Sequence, residues 1–113
     1  MTASDIINKY QNSTLEEIMH EPPGVISAEI VLLSAKLWEA GSLTLLAEQA
    51  NARKFMEIRS TADTDGMAKE ILKTTTEYAD LKKAQTSEKT VLEVIRSLKR
   101  LLLSKSDEAK NLY

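Results

Sequence analysis

Apolar residues recur at helical spacing in the stretch from Ser87 to Lys105. Steps of three and four residues place one set of side chains on a single face of an α-helix. Charged residues fill most of the remaining positions, as expected for a solvated face. The pattern predicts an amphipathic helix that packs against another part of the chain through its apolar stripe, formed by Val91, Leu92, Ile95, Leu98 and Leu102.

A second long helical pattern extends from Ser27, which is a suitable N-cap, to about Arg59. One of its stripes contains Ile30, Leu33, Leu37, Ala40, Thr44, Ala47, Asn51, Phe55 and Ile58. A helix with further apolar residues outside that stripe has to be covered on more than one side. We therefore predict a homo-oligomer or a protein partner at the off-stripe residues Val31, Trp38, Leu45 and Leu46. The alternative is a monomer in which Trp38 lies buried under residues 14–19.

Two shorter helical segments precede the triplet Pro22-Pro23-Gly24. Ser4 can cap the first, which is either a short helix or an ordered arm. Ser13 and Glu16 match a capping box that opens the second, and the prolines end it. We therefore divide the single domain into an N-terminal helical arm, residues 1–24, and a helical hairpin, residues 25–113.

The two long patterns are similar in length and are joined by the polar residues 60–66, where Asp63 or Thr64 can cap the second helix. This arrangement predicts an all-α protein, a long antiparallel helical hairpin of coiled-coil type. We expect the main core at residues 26–46 and 88–103, with the Ser13–Met19 helix packed on it. The seam nearer the turn is thinly apolar, and Thr86-Ser87 is a candidate kink.

Composition supports the all-α prediction and excludes several classes of protein. Apolar residues make up 42% of the chain, but only one Trp, three Tyr and one Phe are present, which is unfavourable for a sheet. The absence of cysteine excludes disulfides and thiol nucleophiles. No signal peptide is visible, and Glu29, Lys36 and Glu39 interrupt the stretch Ile26–Leu46. We therefore expect a cytoplasmic protein with no membrane contact.

No pattern of residues indicates a catalytic, cofactor-binding or metal-binding site. His20 is the only histidine and is expected to end a helix, where it can interact with the helix dipole. Asp63 and Asp65 match only one part of a calcium loop. The glutamates of the long helices, Glu29 and Glu39 among them, lack an accompanying E-x-x-H motif and are interpreted as solvated. We expect a protein that is not an enzyme and has no cofactor or metal.

Basic residues form a ridge beside the C-terminal apolar stripe, and a smaller cluster contains Arg53, Lys54 and Arg59. Such ridges can bind nucleic acid or another polyanion. A solvated helix face is the stronger interpretation, because no aromatic residues interleave the basic ones for base stacking. The candidate polyanion-binding residues are Arg96, Lys99, Arg100 and Lys105.

The run from Arg59 to Leu103, with its STADTDG turn, Tyr78, Lys82-Lys83 and VLEVIRSLKRLL, resembles small helical-hairpin proteins of tailed bacteriophages. Their genes lie in early regions, often beside replication and recombination functions. The resemblance implies a phage protein that assists DNA replication or recombination through a protein or nucleic-acid partner. It implies no residue roles. Two alternatives stay open: an inhibitory or ligand-sequestering phage oligomer, and a small structural or assembly protein.

Overall fold

The structure, a computed structural model, describes the backbone of residues 2–111 and the side chains of residues 2–107. This part of the chain is helical and contains no strand, so the all-α prediction is confirmed. The helices are α1 (Ala3–Asn12), α2 (Leu15–Met19), α3 (Pro23–Arg59), α4 (Asp65–Leu72) and α5 (Thr76–Asn111).

The helices form two compact units. The first unit consists of Met1–Trp38 and Thr90–Tyr113, and therefore contains α1, α2 and the matching parts of α3 and α5. The second unit is Glu39–Lys89 and contains the rest of α3, all of α4 and the first part of α5. Each unit has its own buried residues.

Threonine, and not serine, caps both short N-terminal helices. Thr2 and Asp5 form a capping box, in which Thr2 N donates to Asp5 Oδ2 at 2.8 Å and Asp5 N donates to Thr2 Oγ1 at 3.2 Å. These hydrogen bonds lower the pKa of Asp5 below its usual value. Thr14 caps α2, while the Ser13 hydroxyl donates to the carbonyl of Lys9 at the end of α1. The first cap, Thr2, lies two residues before the expected Ser4. The second, Thr14, lies one residue after the expected Ser13.

The start of α3 is at Pro23, so the expected cap at Ser27 is wrong. A proline suits the first helical position, because its N–H would be unpaired there and its φ already fits the helix. The Pro22 carbonyl accepts from Val25 N at 3.1 Å and from Ile26 N at 3.2 Å. The proline pair therefore separates α2 from α3 and also opens α3.

The core of the first unit contains six buried residues from three helices. From the predicted stripe of α5, three residues lie in the core and Leu102 packs against it partly buried, whereas Leu92 does not take part. Helix α1 contributes a fully buried isoleucine. The prediction that the Ser13–Met19 helix packs on this core needs correction. That helix has no buried residue, and its Leu15 and Met19 are 73% and 51% exposed. The six core residues are Ile6, Ile26, Leu33, Val91, Ile95 and Leu98.

The second unit is packed with smaller and more polar side chains, as the sequence indicates for the half of the hairpin near the turn. Thr44 is buried on α3 and its hydroxyl donates to the carbonyl of Ala40 at 3.0 Å. The carboxylate of Glu88 lies beside Gly41, at a distance where a Cβ would make ordinary van der Waals contact with Oε1. Asn51 Oδ1 is buried without a hydrogen-bond partner. The buried apolar residues of the second unit are Ala40, Ala68, Leu72 and Leu81.

The second helical arm breaks at residues 73–75, whereas the candidate kink at Thr86-Ser87 lies inside an unbroken α5. Thr74 and Thr75 donate their hydroxyl protons to the carbonyls of Ile71 and Leu72, both at 2.6 Å. Three consecutive threonines offer the backbone such local hydrogen bonds in place of helical ones. Thr75 then accepts from Tyr78 N at 3.3 Å and so helps to start α5.

The burial of α1 gives a direct test of which N-terminal helix belongs to the core. We expect Ile6→Ala to lower the free energy of unfolding by about 2–5 kcal/mol, because it leaves a cavity under α1. Leu15→Ala on α2 is the matched control and should change it by less than about 0.5 kcal/mol, since Leu15 is mostly exposed. Urea denaturation followed by circular dichroism measures both. Equal losses would contradict the assignment of the core to α1.

Candidate interaction surface

The helix α3 carries large apolar side chains of which more than half is exposed to solvent. Trp38 is 84% exposed, Val31 69% and Met56 74%, while Leu45 and Leu46 are 55% and 60% exposed. The alternative in which Trp38 lies buried beneath residues 14–19 is therefore wrong. The sequence placed these residues outside the stripe that faces α5, and the structure leaves them in solvent.

The exposed side chains of α3 follow a regular spacing. Since α3 is a single helix, positions that alternate four and three residues apart share one face. Those positions are Val31, Ala35, Trp38, Ser42, Leu45, Gln49, Ala52 and Met56. We call this set the outer stripe. The buried residues Leu33, Ala40 and Thr44 lie on the opposite face, so the helix has two stripes.

By length and composition alone, α3 is the one helix in the described residues that is long and apolar enough to cross a membrane. The sequence pattern predicts no membrane span here, because charged residues interrupt Ile26–Leu46. The core helix of a soluble protein passes the same test of length and composition, and Leu33 of α3 is fully buried in the first unit. The absence of a membrane contact stays a prediction.

A buried ion pair joins α1 to α3 in the first unit. Glu29 is 3% exposed, and its Oε1 accepts from Lys9 Nζ at 2.9 Å and from the Tyr10 hydroxyl at 3.3 Å. Lys9 also pairs with Glu21. The second oxygen of Glu29, Oε2, is buried without a hydrogen-bond partner. The interpretation of Glu29 as a solvated glutamate is therefore wrong.

Burial and charge act on the pKa values of this cluster in different directions. Burial by itself lowers the pKa of Lys9, but its hydrogen bonds to Glu21 and Glu29 outweigh this and raise the pKa above the usual lysine value. Burial and the carboxylate of Glu29 raise the pKa of Tyr10 to about 12. Lys9 therefore stays charged and Tyr10 stays neutral near neutral pH, so that both can donate to Glu29. The cluster is an internal connection between helices.

The candidate polyanion ridge is only partly available. Arg96, Lys99 and Arg100 are exposed on α5. Lys105 donates instead to the carbonyl of Met19, at the end of α2. A cation at the C-terminal end of a helix interacts favourably with the helix dipole.

The smaller basic cluster also forms contacts within the chain. Arg59 pairs with Asp65 and donates to the carbonyl of Ala62 at 2.8 Å, and so closes the turn between α3 and α4. Lys54 lies 3.7 Å from Glu57. Arg53 is exposed. Two of its three members thus have acidic partners in the chain.

An open cleft of about 450 Å³ lies in the first unit. Its wall is largely apolar, with Ile18 of α2 on one side and Val94 and Leu101 of α5 on the other, and Glu93 lies on its lining. The volume falls in the range of small-molecule sites. The sequence gives no signal for this cleft, because the cleft forms only where α1 and α2 meet α5.

No group of three or more His, Cys, Asp or Glu side chains that could hold a metal ion lies in the described part of the chain. His20 is exposed and forms the C-cap of α2, next to the end of the helix as expected. Asp65, part of the supposed calcium-loop fragment, is paired with Arg59, and Thr64 caps α4. The arrangement offers surfaces for binding.

The buried ion pair predicts that a single substitution costs more stability than substitution of both partners. Lys9→Met removes the cation and leaves the carboxylate of Glu29 buried, so it should cost about 3–5 kcal/mol of unfolding free energy. Combining it with Glu29→Met should recover much of that loss, because no buried charge remains. Urea denaturation of the two single variants and the double variant gives the coupling. A Lys9→Met loss below about 1 kcal/mol would contradict a buried pair.

The ridge on α5 predicts a salt-dependent interaction if it binds a polyanion. Replacing Arg96, Lys99 and Arg100 with Glu should then abolish DNA binding while the helix persists, because Glu propagates helices nearly as well. Wild-type affinity for single strands should also fall with salt, with a slope of about −0.7 per phosphate contact. Fluorescence anisotropy at two salt concentrations measures this. Equal affinities of both proteins would identify the ridge as a solvated face, which is the outcome that we expect.

Comparison with protein-family models, with curated proteins and with solved structures gives no match to this chain. The resemblance to phage helical-hairpin proteins therefore stays a prediction from residues 59–103.

Proposed function

We propose that this chain is a non-enzymatic interaction protein that works through the outer stripe of α3, either with a copy of itself or with another protein. The observation that carries the proposal is the 84% exposure of Trp38 among large apolar neighbours on one helix face. Apolar side chains scattered singly over a surface need no explanation, but a contiguous apolar patch marks an interaction site. Tryptophan is also enriched among the residues that dominate binding energy.

The biological setting of the proposal is a cytoplasmic phage protein that assists DNA replication or recombination. It depends on the resemblance of residues 59–103 to phage hairpin proteins. A protein partner is favoured over nucleic acid for a physical reason. Lys105, Arg59 and Lys54 are engaged within the chain, which leaves a short ridge on α5 for phosphate contacts.

A second candidate is a ligand-sequestering phage protein, and the cleft of the first unit supports it. A largely apolar wall with a few polar groups is typical of sites for small organic molecules. This candidate places the working surface on α5 and α2, away from the outer stripe.

A capture experiment with three proteins distinguishes these functions. Wild type, an outer-stripe variant and a control variant are used as bait in nuclease-treated lysate of the native host. The outer-stripe variant replaces Val31, Trp38 and Leu45 with Ser. The control replaces Met19, Met67 and Ile71 with Ser, which are also exposed and do not line the cleft. We expect partners that wild type and the control retain and the outer-stripe variant loses. A partner captured from lysate supports the proposal only if it shows the same pattern of binding when the proteins are purified.

Other results would point elsewhere. Partners lost only on nuclease treatment would indicate bridging by DNA. A small molecule that co-purifies with all three baits, with no protein lost from the outer-stripe variant, would overturn the proposal in favour of the ligand-sequestering protein. Mass spectrometry of the eluates detects both kinds of partner.

A further inference from the structure

The outer stripe of α3 alternates large and small side chains. Val31, Trp38 and Leu45 follow each other at steps of seven residues, and the intervening positions carry Ala35 and Ser42. A stripe of two kinds of position, spaced four and three residues apart, is the pattern of a helix that pairs with another helix. Close packing of such a pair requires that a large residue of one helix meets a small one of the other.

The direction of pairing follows from this alternation. In a parallel pair, equivalent positions lie opposite each other, so Trp38 would meet Trp38 and Ala35 would meet Ala35. Layers of two large side chains would then alternate with layers that leave a void, which packed interiors avoid. In an antiparallel pair the two kinds of position face each other, so that the large residues at the centre of the stripe can meet small ones.

One antiparallel register places every position of the stripe opposite a residue of α3 and also places Trp38 and Leu45 opposite small residues. With the two-fold axis near residue 40, Trp38 lies opposite Ser42 of the second copy and Leu45 lies opposite Ala35. The same register continues outward along the helix and pairs Val31 with Gln49, Ala28 with Ala52, and Gly24 with Met56. Each large apolar residue of the stripe thus meets a smaller or more flexible one.

The flank of the stripe fits the same register. Leu32 and Leu46, which are 46% and 60% exposed, lie beside the stripe and become neighbours across the pair. Glu39 approaches its copy near the axis, but Lys36 precedes it by three residues, at the spacing that favours ion pairs on a helix. The two central carboxylates therefore have a cation beside them.

The exposed area is sufficient for a dimer. Six large apolar residues of the stripe and its flank expose roughly 800 Å² per chain, about what each partner gives to a standard interface. They are Val31, Leu32, Trp38, Leu45, Leu46 and Met56. Covering about three-quarters of this in both copies would bury about 1,200 Å², the lower limit for stable specific interfaces. The stripe together with its flank thus reaches the lower limit of area for a homodimer.

We propose that two copies of this chain pair antiparallel along the outer stripe of α3, with the two-fold axis near residue 40. The inference rests on the proposed function, since it names the first partner of the same surface. It adds the identity of that partner, the direction of pairing and the register.

The register can be tested by disulfide cross-linking, because the native chain contains no cysteine. Ala28→Cys and Ala52→Cys remove no large side chain, and the proposed pairing places these two positions opposite each other. A mixture of the two variants should form a disulfide-linked heterodimer under mild oxidation, whereas each variant alone should not. Equivalent positions in the antiparallel pair are roughly 36 Å apart for residue 28, at 1.5 Å rise per residue.

Two further outcomes define the register. Homodimers of Ala28→Cys alone would overturn the antiparallel direction. A mixture of Ala35→Cys and Ala52→Cys tests the antiparallel register shifted by one heptad, and efficient cross-linking there, with none between positions 28 and 52, would overturn the axis near residue 40.

Self-association itself is measured on the cysteine-free protein by light scattering. We expect wild type and Met67→Glu, an exposed control on α4, to be dimers at micromolar concentration, and Trp38→Glu to be a monomer with unchanged circular dichroism. A monomeric wild type overturns the dimer, and the capture experiment then shows separately whether the surface binds another protein. Dimer loss on adding neutral phosphatidylcholine vesicles, with Trp38-dependent co-sedimentation, would instead identify a lipid surface as the preferred occupant and overturn the inference.

Discussion

The structure depends on one constraint, that α3 is apolar on two opposite faces while the chain supplies a partner for one of them. The face with Leu33, Ala40 and Thr44 is buried within the units. The face with Val31, Trp38 and Leu45 is in solvent. With α1 already used to cover part of the first face, and α2 only five residues long, no described helix remains for the second. Covering such a face from water is favourable by about 25 cal/mol per Å² of apolar area.

The polar elements of the first unit serve to fix its short helices. Lys9 and Tyr10 of α1 converge on Glu29 of α3, and Lys105 of α5 donates to the end of α2. A buried pair of this kind adds little net stability compared with apolar residues, but it penalises any arrangement that separates the partners. It therefore specifies where α1 sits more than it stabilises the fold. Of the four candidate polyanion-binding residues, Lys105 is used in this way, while Arg96, Lys99 and Arg100 stay exposed.

The second unit differs from the first in how its helices meet. Gly41, Thr44 and Asn51 place little apolar volume in the seam, and the amide oxygen of Asn51 is left without a partner. Fewer apolar contacts imply a lower free energy of local opening. The break at residues 73–75 lies in this unit, where Thr74 and Thr75 hydrogen-bond locally to preceding carbonyls.

The sequence by itself determined the helical class, the polar turn before α4, most of the apolar stripe of α5 and the second apolar side of α3. For the cap of α4 it left Asp63 and Thr64 open, and the structure has Thr64. These features follow from local periodicity and capping chemistry, which a single segment carries without its neighbours. Only the tertiary structure decided three other features. These are the burial of Ile6 and Glu29, the hydrogen bond of Lys105 to the end of α2, and the cleft beside α2. Each depends on which helix lies opposite, and two short helices with similar amphipathic patterns offer no local signal of which one enters the core. The break after Leu72 belongs between these cases, since its threonine run is visible in the sequence but competes with an otherwise continuous helical pattern.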